Sequence, residues 1–206
     1  MSERLILHED PISGNCYKIR LTAALLGVPL ERRTYDITKS ETRTPQFLAE
    51  INANGRIPVL QIGDRFLTES NAAAFYLADG SSLVPDDRFS RADMLRWMFF
   101  EQYQHEPNIA TLRYWLRILG EYALSAEQKA LIPAKRAGGE AALALIDAHL
   151  DSRRWLVGDS PSLADICLFA YTHVADESGF DLAARGNILR WLADVARLPG
   201  FVAMSR

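Results

Sequence analysis

The rhythm of apolar and polar positions changes once along the chain, near residue 80. Before that point short apolar runs alternate with helix-length segments; after it a helical period continues to the end. Leu5-Ile6-Leu7-His8 predicts a strand. In residues 16–26, Tyr17, Leu21 and Leu25 share one helical face with Ala24 beside them. Gly27 follows at the C′ place and Pro29 stops any continuation. Leu30 to Ile37 predicts a second strand, whose charges suit an exposed edge. Thr44 as N-cap and Pro45 at N1 open a short helix. Asn52-Ala53-Asn54-Gly55-Arg56 is a turn cluster. Pro58 to Ile62 and Arg65 to Leu67, joined by Gly63-Asp64, predict a hairpin. Glu69-Ser70 then leads into an Ala-rich helix ending near Asp79-Gly80. The order is β-α-β-α-β-β-α. A strand–helix–strand start implies a parallel crossover, and the hairpin adds antiparallel strands, so one small mixed sheet is expected.

Residues 81–90 (SSLVPDDRFS) concentrate Ser, Pro and Asp and read as a linker. Residues 91–119 predict one long helix, bent near Pro107. Residues 125–151 carry a second helical pattern, loosened by Pro133 and Gly138-Gly139. Ser162-Leu163-Ala164-Asp165 is a capping-box start for an apolar helix from Ile166 to Ala175. A last helix covers Ile188 to Arg197, closed by Pro199-Gly200. No segment after residue 90 reads as a strand. The expected organisation is an α/β domain over 1–80, a linker over 81–90, and an all-helical domain over 91–206.

Composition narrows the function. The chain has 206 residues, 49% of them hydrophobic and 24% charged, which is enough apolar material for a sizeable core. A net charge of -3 gives no electrostatic reason to expect nucleic acid. No stretch is apolar over the ~18 residues a membrane span needs. The opening MSERLILHED carries acids and a strand-like run, unlike a signal peptide. Two distant cysteines, Cys16 and Cys167, fit a reduced intracellular protein. The four histidines (His8, His105, His149, His173) are scattered and there is no CxxC, so no metal-ligand spacing emerges.

Four separated stretches carry a family resemblance: SGNCYKIRLTAALLG after the first strand, NGRIPVL near residue 57, LTESNAA near residue 69, and SLADICLFA near residue 165. In this order and at these spacings the sequence resembles a cytosolic glutathione S-transferase of bacterial type over nearly its whole length. The resemblance implies a thioredoxin-like N-terminal domain, a helical C-terminal domain and a cytoplasmic homodimer. It also implies glutathione as co-substrate and a small hydrophobic electrophile as its acceptor.

The chemistry expected at these motifs follows from the thiol. A free thiol has a pKa of ~8.5, and the thiolate is the nucleophile. Lowering that pKa by about two units requires roughly 2.7 kcal/mol of preference for the thiolate. A hydroxyl donor and a helix N-terminus supply that scale of energy. By the resemblance, Ser13 matches the catalytic serine of serine-type members. Asn15, two residues on, carries an amide that can donate to the same sulfur, and both residue types also favour N-caps. The pair Ser13-x-x-Cys16 stands where thioredoxin-like redox proteins carry Cys-x-x-Cys, so a two-cysteine cycle is unavailable. Cys16 fits a small core residue, with a mixed disulfide to glutathione as the other reading. Cys167 fits the core.

For glutathione itself, the resemblance assigns the main chain of Ile57, before a cis Pro58, to the cysteinyl backbone. It assigns Ser70 and the helix start to the γ-glutamyl carboxylate, and Glu69 to the α-amino group. Arg43, with Arg56 and Lys39 as rivals, is the candidate for the glycyl carboxylate. The electrophile is expected against the helix at 91–119, with Tyr103, His105, Arg113 and Tyr114 as candidates. A glutathione-dependent disulfide reductase or peroxidase, or a non-enzymatic glutathione-binding regulator, would use the same scaffold.

Overall fold

A computed structural model describes residues 4–204; the first three residues of the opening MSERLILHED segment and residues 205–206 lie outside it. The chain divides into two compact units. One takes the chain up to Val84 together with the stretch from Leu198 on, and the other is Pro85–Arg197.

The first unit is built as the sequence pattern predicts, in the order β1 (Leu5–Glu9), α1 (Gly14–Leu25), β2 (Glu31–Thr34), α2 (Pro45–Glu50), β3 (Val59–Ile62), β4 (Arg65–Thr68) and α3 (Ser70–Ala78). The sheet order is β2-β1-β3-β4. β1 runs parallel to β2 and antiparallel to β3, and β3 is antiparallel to β4. This is the thioredoxin-like mixed sheet that the β-α-β-α-β-β-α order implies. Leu7, Ile19, Leu60, Ile62 and Ala73 form one buried cluster that joins the sheet to α1 and α3. β2, Glu-Arg-Arg-Thr, is exposed along its whole length, as its charges require of an edge strand.

Local chemistry sets the element ends. Gly27 sits just past α1 at φ +64, a conformation that favours glycine. Thr44 caps α2 by accepting from the Phe47 N–H at 3.3 Å, with Pro45 in the first turn. The second domain was expected to reach residue 206, yet the last stretch joins the first unit. There the Tyr17 hydroxyl donates to the Val202 carbonyl at 2.7 Å, and Gly200 approaches the Ala24 carbonyl so closely that a Cβ would stand 2.7 Å from it.

The second unit is helical, with no strand among the described residues. Its α-helices are α4 (Arg88–Phe100), α5 (Glu106–Leu112), α6 (Ala126–Leu150), α7 (Leu163–Thr172) and α8 (Gly186–Ala196). The region expected as one bent helix is helical throughout but carries two π turns, Glu101–His105 and Arg113–Leu119. Pro107 lacks an N–H and its ring crowds the preceding turn. The chain answers with a wider turn, in which the Glu106 N–H reaches back to the Glu101 carbonyl. The expected loosening of 125–151 does not occur: α6 is continuous through Pro133. Its two glycines are close-packing sites, since a Cβ on Gly139 would stand 2.3 Å from Phe180 and one on Gly138 would stand 2.7 Å from Asn108.

α7 is buried along its whole length. Its start is held by Asp165, whose carboxylate accepts from the Ser162 N–H at 2.8 Å, the Ser162 hydroxyl at 3.1 Å, the Leu156 N–H at 2.9 Å and the Trp191 indole at 2.9 Å. One carboxylate therefore caps α7 and ties it to the preceding loop and to α8. Asp165→Ala should leave these buried donors unsatisfied and cost about 3 kcal/mol or more. Urea unfolding of the variant against the parent measures this, and a loss below about 1 kcal/mol contradicts it.

Two histidines add a pH dependence. His8 lies buried between the Tyr35 hydroxyl (2.9 Å) and the Gln61 amide oxygen (3.0 Å), and His149 bonds the Leu156 carbonyl at 2.9 Å. Burial lowers both pKa values below 6.5. The unfolded chain then takes up protons that the folded imidazoles do not, so their contribution to stability is full above 6.5 and declines as the pH falls below it. The urea midpoint should drop between pH 7 and pH 5.5 (a range about the histidine pKa), and His8→Gln should flatten that drop.

Candidate functional site

Strand register gathers the predicted residues of the first unit. His8, near the end of β1, faces Val59 at the start of β3, and Val59 faces Thr68 at the end of β4. The loop leaving β1, the loop entering β3 and the chain leaving β4 therefore share one end of the sheet. These carry Ser13 and Asn15, then Ile57 and Pro58, then Glu69 and Ser70. The Ile57–Pro58 peptide bond is cis.

Ser13 is the N-cap of α1. Its hydroxyl oxygen accepts from the Cys16 N–H at 3.3 Å, which leaves the hydroxyl's own proton uncommitted by the cap. The loop before it is fixed by Asp10, a residue the sequence reading did not single out. The Asp10 carboxylate, nearly buried, accepts from the Ile12 and Ile37 N–H groups at 3.1 Å each, and its carbonyl accepts from the Ser13 N–H at 3.0 Å. An Asp two residues ahead of a backbone N–H is an Asx-turn signal that could have found it.

Asn15 and Ser70 meet across the two helix starts, the Ser70 hydroxyl donating to the Asn15 amide oxygen at 3.3 Å. Ser70 is the first residue of α3, and Glu69 before it takes the cap position at φ +70 with no capping bond from its side chain. A non-glycine residue there is held at a cost of about 1–3 kcal/mol, a kind of strain that clusters at ligand sites. Glu69 itself is exposed.

The candidate cations separate. Arg43 donates to the Asn54 carbonyl at 3.0 Å and lies over Gly55, where a Cβ would come within 2.7 Å of it. It thus borders the turn that delivers Arg56 and Ile57. Arg56 is exposed, and its carbonyl accepts from the Asn52 amide at 2.9 Å. Lys39 is paired with Asp36 at 3.1 Å.

In the second unit the four electrophile candidates also separate. Tyr103 is 86% exposed and Tyr114 is half-buried. His105 and Arg113 lie deeper than Tyr103 and Tyr114. His105 is fully buried and bonded to the Thr172 hydroxyl at 2.9 Å, and Arg113 is 4% exposed and paired with Glu177 at 2.7 Å. Both lie in π turns of this helical region, His105 in Glu101–His105 and Arg113 in Arg113–Leu119.

Domain models identify both parts of the chain: "Glutathione S-transferase, N-terminal domain" over residues 5–79 and "Glutathione S-transferase, C-terminal domain" over residues 129–194. The glutathione S-transferase from Pseudomonas fluorescens is 42% identical with a TM-score of 0.90, the match covering 98% of this chain and 99% of that one. The chain belongs to the glutathione S-transferase family. A possible glutathione S-transferase from Rhodopseudomonas palustris is 40% identical with a TM-score of 0.92, over 98% of this chain and 90% of that one. Glutathione S-transferase 2 of Anopheles gambiae is 30% identical over 92% of this chain and 90% of its own length. Membership supports a glutathione transferase activity in general terms.

Within this family member, Cys16 stands in the first turn of α1 at zero exposure. Burial pushes its thiol up to about 12, against the smaller opposing effect of its hydrogen bond with Ser13. A thiol so poised is not a nucleophile near neutral pH. With Cys167 buried as well, the native protein should leave a thiol reagent such as dithiobis(nitrobenzoate) unreacted at pH 8, and denaturant should release both thiols. Rapid labelling of Cys16 in the folded protein would contradict this.

Proposed function

We propose that the protein conjugates the glutathione thiolate to a small hydrophobic electrophile, with Ser13 as the residue that stabilises the thiolate and Asn15 assisting. The observation that carries this reading is the cap geometry of Ser13. Its hydroxyl oxygen accepts from the Cys16 N–H beside the N-terminus of a 12-residue helix, and its one proton, which can serve the Cys16 sulfur, would turn to the glutathione sulfur when the tripeptide binds. A hydrogen bond to a charged acceptor contributes ~1.5–3 kcal/mol, and a helix N-terminus adds ~0.3–1 kcal/mol. Their sum matches the roughly 2.7 kcal/mol that a two-unit fall in thiol pKa needs.

The remaining contacts follow the same reading. The main chain of Ile57 would take the cysteinyl backbone, Ser70 the γ-glutamyl carboxylate, Glu69 the α-amino group, and Arg43, with Arg56 beside it, the glycyl carboxylate. Tyr103 and Tyr114 are the residues for electrophile contact. The cytoplasmic homodimer carries over from the family. A disulfide reductase or peroxidase working through Cys16 is disfavoured by that thiol's burial. A reductase that depends on Asn15, and a binding protein without turnover, are separated from the main reading by assay.

The test is chloronitroarene conjugation beside disulfide reduction, with Ser13→Ala, Asn15→Ala and Cys16→Ala. Ser13→Ala should lower conjugation by ~10–100-fold, the loss of one charged hydrogen bond, while Cys16→Ala leaves it within a few-fold. Reduction that survives Ser13→Ala while conjugation is absent would replace this reading with the reductase. Glutathione binding without either activity would replace it with the binding protein.

A further inference from the structure

A cavity of about 310 Å³ lies wholly within the first unit. One wall is a face of α1, where Tyr17, Arg20 and Ala24 recur at i, i+3 and i+7. A second is the chain at β2, where Leu30 and Arg32 stand two residues apart and so point the same way. The third is the final stretch at Val202, whose carbonyl accepts from the Tyr17 hydroxyl at 2.7 Å. Ser13, Asn15, Ile57, Glu69 and Ser70 do not line it. Arg20 follows the Ser13 cap by seven residues, about 10 Å along the helix axis. The cavity is therefore a separate place from the one proposed for glutathione.

Its charge is unbalanced. Glu9 is completely buried, and its carboxylate pairs with Arg32 and, at 3.1 Å, with Arg20. Two guanidiniums thus share one carboxylate, a surplus of one positive charge. Among the described residues no acid lines the cavity itself. The Arg20 side chain is only 9% exposed. One of its terminal nitrogens donates to the Pro11 carbonyl at 2.8 Å, but its Nε–H is not aimed at Glu9 and makes no hydrogen bond. A buried donor without a hydrogen bond is costly. Burial also disfavours the Arg20 charge, and Glu9 offsets this only in part. The rest of the lining is apolar, from Ala24, Leu30 and Val202.

We propose that this cavity binds a small apolar carboxylate, its carboxylate group taken by Arg20 and Arg32 and its hydrocarbon body laid against Ala24, Leu30 and Val202. Guanidinium and carboxylate match in geometry, and one negative charge cancels the surplus that Glu9 leaves. A dianion would exceed that surplus. The volume stands at the lower end of the ~300–1,000 Å³ typical of small-molecule sites, which favours a compact body. The inference does not depend on the thiolate chemistry.

The experiment titrates 3-phenylpropanoate into the intact, isotope-labelled protein at neutral pH and follows the backbone amide resonances. Saturable shifts should centre on Arg20, Arg32 and Val202, with a dissociation constant below about 1 mM. The neutral 3-phenylpropanamide and the bodiless acetate should each bind at least about tenfold more weakly. Arg32→Gln, at a side chain that is 45% exposed, removes one cation and should weaken the carboxylate roughly 10–100-fold, the range of one charged hydrogen bond. Val202→Glu sets a like charge at the exposed rim, keeps the carbonyl that Tyr17 uses, and should weaken it as well. Saturating glutathione should leave the affinity within about two-fold, as for independent sites. Shifts that do not saturate, an amide that binds as well as the acid, or an Arg32→Gln that keeps the parent's affinity would each overturn the proposal. So would shifts centred on Ser13 and Ile57 with displacement by glutathione, which would place the acid in the glutathione site instead.

Discussion

The pairing of β1 with β3, and of β3 with β4, is the constraint on which the site depends. Because His8 faces Val59 and Val59 faces Thr68, three loops that are distant in sequence leave the sheet together. A slip of one residue would turn every side chain of a strand to the other face, which the buried set Leu7, Leu60 and Ile62 forbids. Hydrophobic register thus does the positioning, and the polar residues of the loops inherit their proximity from it. Asp10 then rigidifies the loop before α1, and the Ser70–Asn15 bond joins two helix starts that the register has already brought near.

Much of this was legible because the determining signals are local. Gly27, Thr44-Pro45, the Gly63-Asp64 turn and the Ser162–Asp165 box each act within a few residues, and the elements they bound lie where the pattern put them. The cis bond before Pro58 could be read from its flanking motif. The faces of the region after Phe100 could not, because they depend on two π turns whose cost and benefit are settled by tertiary packing. His105 and Arg113 fall within those turns and meet Thr172 and Glu177, partners more than sixty residues away. Gly138 and Gly139 misled for a related reason. Glycine weakens a helix by propensity, yet here it admits Asn108 and Phe180 at distances that any side chain would block.

The polar site divides in the same way. Residue types that suit a thiolate, Ser13 and Asn15, were visible as a motif at a helix start. The buried charged groups around them, Asp10 before Ser13 and Lys18 beside Ser70, were not, because a carboxylate or an ammonium in sequence reads first as solvated surface. Only burial and the hydrogen bonds a group makes change that reading. Lys18 at zero exposure, donating to two side-chain oxygens of α3, is a structural statement that no spacing rule contains.

The Ser13-x-x-Cys16 pair shows why two residues of similar chemistry at one corner are not interchangeable. The N-cap residue lies outside the helix and keeps an open side, while the residue three places on is drawn into the buried first turn. Ser13 is accordingly half-buried and Cys16 is not exposed at all. The same desolvation that would make a sulfur at position 16 a poor thiolate makes it a good packing atom, and it pushes that thiol up to about 12. A hydroxyl at the cap suffers no such penalty, since it works as a neutral donor and never has to ionise. The fold therefore leaves a hydroxyl accessible at the cap and gives the position three places on to hydrophobic filling, and the division follows from helix geometry before any ligand is considered.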